Sequence, residues 1–304
     1  MSSDYCYVFR KLKKCLPKGA VKKNEPMANH TSFKIGGKAK IFAQLASLEQ
    51  IILALEIVKR KKVKFFVMGK GTNLLFSDKG YDGVVLKISE DFNHIYHKNN
   101  IIVCESGISI NGLCAYACEH GISGLEHAIG IPGSVGGAVY MNARAFDYET
   151  ANCVTSVLAL IDGKITLLNN KDCNFSYKHS VFMEHKNAII LQVEFTLAKG
   201  NKEDIQMQYL QTMATRKEKQ PLNYPSAGCM FKQHEQINVS KAIDDDGFKG
   251  YTVGGAQVST KHANFIVNIG GATSSDVLQI VQVIKQHFKN KYSIDLECEV
   301  EYIN

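Results

Sequence analysis

The sequence predicts an α+β protein built from more than one packed unit. Three observations carry this: a strand pattern runs straight into a glycine loop at 69–75, the stretch from about 83 to 198 is rich in short β runs, and the last hundred residues hold two helical patterns and a closing strand. The length agrees, because 304 residues exceed what a single hydrophobic core ordinarily covers.

Residues 1–28 read as a short basic helix and a linker that closes on Glu25-Pro26. From Asn29 a strand is expected at 40–45, then a helix at 48–60 with Leu48, Ile51, Ile52, Leu55 and Val58 on one face, then a strand at 63–68. The run Lys59-Arg60-Lys61-Lys62 falls at the end of that helix, where cations complement its dipole. Further strands are expected at 84–88, 101–104, 157–161 and 188–197, with a helix near 110–120 that holds Cys114 and Cys118 one turn apart. After a polar break at 199–202, a helix places Ile205, Tyr209, Leu210 and Met213 on one face and stops before Pro221 and Pro225. Thr273 with Asp276 three positions on opens a last helix, whose stripe of Val277, Ile280, Val281, Ile284 and Phe288 is core. A strand at about 296–303 ends the chain. The boundaries expected are 1–28, 29–200 (with subdomains at about 29–83 and 84–200) and 201–304.

The apolar fraction is 45% and the charged fraction 21%, as in an ordinary globular protein. A net charge of +7 suits anionic small molecules and falls short of a nucleic-acid signature, which needs clustered basic residues. Nine cysteines without a CxxC pair or a zinc spacing read as reduced thiols in a cytoplasmic protein with no metal site. No apolar run is long enough to span a bilayer, and no secretory h-region follows the N-terminus. The expected partners are therefore small molecules, with no nucleic acid and no membrane, and the expected state is a monomer.

Two glycine loops carry the first chemical signal. In Gly69-Lys70-Gly71-Thr72-Asn73-Leu74-Leu75 two glycines let the backbone approach a phosphate closely, yet neither a P-loop nor a complete GxGxxG is present. The stretch 130–138 packs Gly130, Gly133, Gly136 and Gly137 around Pro132 and Ser134 and ends at Ala138, more glycine than a turn requires. Together the loops resemble the flavin-binding domain of the vanillyl-alcohol oxidase and p-cresol methylhydroxylase (PCMH) superfamily, in which two α+β subdomains cradle FAD. The resemblance implies that 29–200 is this FAD-binding domain, followed by an α+β substrate-binding domain. It implies cofactor contacts from Gly69, Lys70, Gly71, Thr72, Asn73 and Leu74, and from Pro132, Gly133, Ser134, Gly136, Gly137 and Ala138. The first loop has no histidine, so FAD is expected to be held noncovalently.

Three further segments resemble the UDP-N-acetylenolpyruvoylglucosamine reductases: 216–232 with Ser226-Ala227-Gly228-Cys229-Met230-Phe231-Lys232, 250–268, and Leu296-Glu297-Cys298-Glu299-Val300. That family uses NADPH to reduce FAD, and a hydride from flavin N5 then reduces an enolpyruvyl ether on the route to peptidoglycan. The resemblance puts Cys229 at the proton-donor position, where cysteine suits the task as a far better acid than serine. It puts Glu299 at the position of the catalytic glutamate that meets the enolpyruvyl carboxylate. Two positions along a strand share a face, so spacing alone leaves Glu297 as a rival.

The third family residue is an arginine after a tyrosine, where this chain has Tyr177-Lys178-His179-Ser180. Lys178 keeps the charge and loses the two-donor fork; His179 and Arg144 are candidate helpers. Tyr177, Arg216, Lys219, Gln233 and His262 are the implied substrate contacts. The stretch from Phe182 to Leu197 is short, which resembles the second branch of the family, without the extra tyrosine-bearing loop. A turnover-impaired flavin sensor or interaction protein is the alternative that Lys178 raises.

Overall fold

The helix predicted at 48–60 forms at Leu48–Arg60, and burial explains why it forms there: Ile51, Ala54, Leu55 and Val58 point inward and Ser47 caps its start by accepting the Gln50 N–H at 3.3 Å. The computed structural model describes residues 3–185 and 187–304. Contacts divide the chain into two units: residues 1–22, 42–70 and 84–216 in the first, and 23–41, 71–83 and 217–304 in the second.

In the first unit the helix Ser3–Cys15 packs on Leu48–Arg60 through Val8 and Leu12. The strand Phe65–Met68 runs parallel to residues 84–87. The β-rich stretch forms a five-stranded antiparallel sheet in the order Lys164–Asn169, Val154–Ile161, Ile189–Thr196, Ile101–Glu105, Ile95–Lys98. Its buried residues Ile102, Val157, Val193 and Phe195 share one core with Leu113 and Ala117 of the helix Ile110–Glu119 and with Val135 and Val139 of the short helix Val135–Tyr140. Between the 3-10 turn Val181–Met183 and the strand at Ile189 the chain is short, in line with the expected lack of an extra loop.

In the second unit an antiparallel sheet orders its strands Ser226–Cys229, Phe265–Asn268, Ala256–Val258, Thr252–Val253. The helix Ser274–Tyr292 packs on it with Val277, Ile280, Ile284 and Phe288 buried, and its predicted capping box between Thr273 and Asp276 is present. Phe33 and Leu75, from segments far earlier in the chain, complete the same core.

Three elements differ from expectation. Residues 21–26, read as linker, form the strand Val21–Pro26, and the Gln44 N–H bonds the Ala20 carbonyl just before it. On the helix Lys202–Lys219, Leu210 is 60% exposed whereas Arg216 is 3% exposed, because polar partners wait for Arg216 inside. The final strand spans only Glu301–Ile303; residues 297–299 make an isolated bridge to a short partner, Met230–Lys232, before that partner turns away at Gln233. No helix among the described residues is long and apolar enough to cross a membrane.

Candidate functional site

The two glycine loops meet in the first unit. A Cβ added at Gly69 would stand 2.6 Å from Ser134 Oγ, so glycine there is what lets the loops touch. Ser134 also caps the helix Val135–Tyr140 by accepting the Gly137 N–H. Gly136 presses on Ser106, where a Cβ would meet the Ser106 Cβ at 2.9 Å, while the N–H groups of Val135 and Gly136 bond the carbonyls of Ile108 and Ser106. Gly130 has φ of +77° and abuts Arg216. These three glycines are explained by the packing of the chain itself.

Gly137 is not. It is exposed, lies outside the positive-φ region, and a Cβ there would meet nothing closer than Ser134 Oγ at 3.5 Å. Glycine in a helix costs about 1 kcal/mol relative to alanine, so its open side fits a ligand that comes close. Against its neighbour Gly136, Ser106 Oγ is buried with no hydrogen-bond partner among the described residues. A bare backbone face with an unsatisfied hydroxyl under it suits a flat, phosphorylated group such as FAD. Gly137→Ala is expected to leave thermal stability unchanged or slightly higher and to weaken FAD retention about tenfold, the cost of overpacking one methyl group; the ratio of flavin to protein absorbance after dialysis checks this.

Of the other loop positions, Lys70 pairs with Glu90 at 3.0 Å and Ala138 is buried in the core. The later half of the first loop does something the sequence does not announce. The Asn73 side chain donates to the Glu299 carbonyl at 2.9 Å, and the Asn73 carbonyl accepts from the Glu301 N–H. Leu74 pairs with Glu301 in a short parallel ladder. This half of the loop therefore holds the terminal segment that carries Glu299.

Lys178 occupies the second central position of a two-residue turn closed by mutual N–H to carbonyl bonds between Ser176 and His179, and its φ is +56°. A non-glycine residue there is held against its preference. What holds it is Asn142, fully buried at φ +43°, whose amide donates to Glu149 at 2.7 Å and to the Ser176 carbonyl at 2.8 Å. Ser180 Oγ adds a bond to the Tyr140 carbonyl. Of the two candidate helpers, Arg144 lies over the Tyr177 ring at 5.4 Å and pairs with Glu149 at 3.1 Å, whereas His179 faces Glu184 at 3.5 Å.

Arg216 is a clamp inside the first unit. Its Nε donates to the Ile129 carbonyl at 2.6 Å, an Nη reaches the His127 carbonyl, and the guanidinium lies 5.0 Å over Phe146. Burial pulls its pKa below the usual arginine range, offset in part by the Cys114 thiol nearby. This arginine shapes the entry to the second glycine loop. Lys219, one turn on, is exposed.

In the second unit Cys229 ends the strand Ser226–Cys229, opposite Phe265, after a register shift that Gly228 makes possible with φ of +82°. The next residues are pinned by Asn264, which is 1% exposed: its oxygen accepts the Phe231 N–H at 2.9 Å, its amide donates to the Phe231 carbonyl at 2.8 Å, and its own carbonyl accepts the Met230 N–H. The Glu299 N–H bonds the Met230 carbonyl at 2.8 Å, which sets the Glu299 backbone opposite Met230, the residue after Cys229. Glu297 is different: it pairs with Lys232 at 3.0 Å on an exposed surface, and that lysine holds its carboxyl below the usual range. Cys298 between them is partly buried, and burial pushes its thiol pKa up.

The remaining substrate candidates have local roles too. The Gln233 side-chain oxygen accepts the Val239 N–H at the start of the helix Val239–Asp245. His262 packs edge-on to Phe265, with Nδ1 3.5 Å from Ser240 Oγ, and burial lowers its pKa, so the ring is neutral at pH 7. Sequence reading missed Asn142 and Asn264. Neither stands in a telling spacing; only burial without water identifies an amide that must satisfy backbone groups.

Comparison with known proteins bears on both units. Residues 39–168 match the family described as FAD binding domain, and residues 220–303 match the C-terminal domain of UDP-N-acetylenolpyruvoylglucosamine reductase. The UDP-N-acetylenolpyruvoylglucosamine reductase of Fervidobacterium nodosum is 43% identical over 91% of this chain and 90% of its own length. That of Caldanaerobacter subterraneus is 42% identical over 96% and 97%. The crystal structure of the Thermus caldophilus enzyme of the same description superposes with a TM-score of 0.79 at 30% identity, covering 93% of this chain and 99% of that one. An alkyldihydroxyacetonephosphate synthase, at 13% identity and a TM-score of 0.50, shares the fold alone. The α+β architecture with an FAD-binding domain is thus the one expected, the flavin it takes is FAD, and the chain belongs to the UDP-N-acetylenolpyruvoylglucosamine reductase family.

Proposed function

We propose that the chain reduces the enolpyruvyl ether of UDP-N-acetylglucosamine to UDP-N-acetylmuramate, a step of peptidoglycan synthesis, with NADPH as the electron source. The observation that carries the reading is the pair formed in the second unit: a thiol at Cys229, displayed beside a glycine bulge, and Glu299, whose backbone N–H is anchored to the carbonyl of Met230, the very next residue. Reduction of a carbon–carbon double bond needs a hydride and a proton. The glycine loops around Gly69, Ser134 and Gly137 would hold FAD, and the chemistry that group would supply is hydride transfer from NADPH to the terminal carbon of the enol ether.

The protein supplies the rest. Cys229 Sγ gives its proton to the carbon that bears the ether oxygen, and the thiolate regains one from water. As the hydride adds, negative charge builds toward the substrate carboxylate, where Lys178 stabilises it and Glu299 shares a proton with it. Tyr177, Lys219, Gln233 and the neutral His262 are the substrate contacts in this reading, with Arg216 acting through the loop it clamps.

The purified protein should be yellow, NADPH should bleach it, and the enolpyruvyl substrate should drive further NADPH oxidation. A yellow protein that NADPH bleaches but that oxidises no NADPH on addition of the substrate would overturn the reading in favour of a flavin-binding sensor. Lys178→Arg is expected to remain active with an unchanged or lower KM, because the fork geometry of the guanidinium adds a second hydrogen bond to a carboxylate; steady-state kinetics in the same assay check it.

A further inference from the structure

The modest net charge of the chain conceals a strong asymmetry. Residues 1–22 and 42–70 of the first unit contain twelve Lys and Arg against three Asp and Glu, a net of +9, so the remaining residues of the chain sum to −2. The fold gathers these cations. On the helix Ser3–Cys15, Val8 and Leu12 face inward, and at 100° per residue Arg10, Lys13 and Lys14 fall on the opposite arc and Lys11 on the flank of the buried face, each of them solvent-accessible. Lys18 follows just beyond.

The basic end of the helix Leu48–Arg60 lies beside the first turns of this one. Lys61 pairs with Asp4 at 3.1 Å and sits 4.7 Å over the Tyr7 ring, while Arg60 and Lys62 remain exposed. Pairing Asp4 with Lys61 removes one of the few local negative charges. Two half-buried rings are interleaved with the lysines: Lys11 stands over Tyr7 and Lys13 over Phe9, each at 5.8 Å.

We propose that this face docks the enzyme reversibly on a bilayer surface rich in anionic lipid. The outer arc of a helix is a convex ridge, with no groove to track a strand. Most of its cations are lysines, compact point charges on flexible stems that suit a diffuse layer of headgroups better than the bidentate recognition at which arginine excels. Aromatic rings set among lysines suit the interfacial zone. A surface of this kind departs from the expectation of no membrane partner, which rested on total charge and on the lack of a spanning segment. Neither observation bears on peripheral binding.

The test uses the flavin-loaded protein in a sedimentation assay with vesicles of phosphatidylcholine alone and of phosphatidylcholine with phosphatidylglycerol. Binding is expected only to the anionic vesicles, and to fall as salt is raised. The double variant Lys11→Glu/Lys14→Glu should lower partition at least about tenfold, since each cation near such a surface is worth about a fivefold change. NADPH oxidation with the enolpyruvyl substrate should stay at the parent level in that variant, which shows that it has folded. Lys11→Gln/Lys14→Gln serves in its place if the reversed charges disturb the helix. Equal binding to both vesicle types, or undiminished binding by a folded variant, would overturn the proposal. So would displacement from the vesicles by duplex or single-stranded DNA at matched phosphate, which would make nucleic acid the preferred partner.

Discussion

Cys229→Ala is expected to keep its flavin and to be bleached by NADPH as fast as the parent, yet to lose about 10²–10⁴-fold in substrate-dependent NADPH oxidation, the range a positioned general acid supplies. The split follows from where the thiol sits. Cys229 belongs to the second unit, and its neighbours Met230 and Phe231 are held by Asn264 through three backbone bonds that a methyl group at 229 does not touch. Gly69, Lys70, the second flavin loop and the supports Ser106, Ser134 and Arg216 belong to the first. Cys229→Ser should fall between alanine and the parent, because a hydroxyl keeps the geometry and is a much weaker acid. Stopped-flow absorbance resolves the two half-reactions. A Cys229→Ala enzyme that turns over at the parent rate would remove the assigned proton donor. One that is also colourless would instead show that the strand Ser226–Cys229 supports the flavin site.

Glu299→Gln should lower kcat by about 10²–10³-fold, comparable to removing one preorganised donor at a developing anion, whereas Glu297→Gln should change it less than about twofold. The structure separates two glutamates that share a motif. Glu297 is exposed and engaged by Lys232, an ion pair of a kind worth about 0–1 kcal/mol. Glu299 is half-buried, with its N–H on the Met230 carbonyl and its carbonyl on the Asn73 amide, so its backbone cannot drift. Asn73→Ala offers a further check on this support. It should raise KM and lower kcat through a looser Glu299, with Glu299→Gln/Asn73→Ala no worse than Glu299→Gln alone. Reversed sensitivities for the two glutamates would move the catalytic role to Glu297.

The legible parts of the molecule were those governed by short-range rules. The helices Leu48–Arg60 and Ser274–Tyr292 were evident because their apolar residues recur at helical spacing, and for the second because Thr273 and Asp276 mark its start. Three strands of the five-stranded sheet were evident as apolar β runs, whereas the edge strands Ile95–Lys98 and Lys164–Asn169, largely exposed, carry no such run. The helix Lys202–Lys219 was harder. Its periodicity called for Leu210 inside, but the unit places carbonyls of Ile129 and His127 over the next turns, and a guanidinium satisfies them where a leucine cannot.

By itself, then, the sequence determined the kinds of element, the two glycine loops, and through its motifs the thiol at Cys229 and the lysine at 178. Tertiary structure alone decided which glycines serve packing and which leaves an open face, which glutamate is anchored, and that Arg216 is an internal clamp. It also decided that charges from separate stretches share one surface. The reason is range: propensity, capping and periodicity act over a few residues, whereas burial and hydrogen-bond satisfaction join groups such as Asn73 and Glu299, which stand 226 residues apart and meet only in the folded chain.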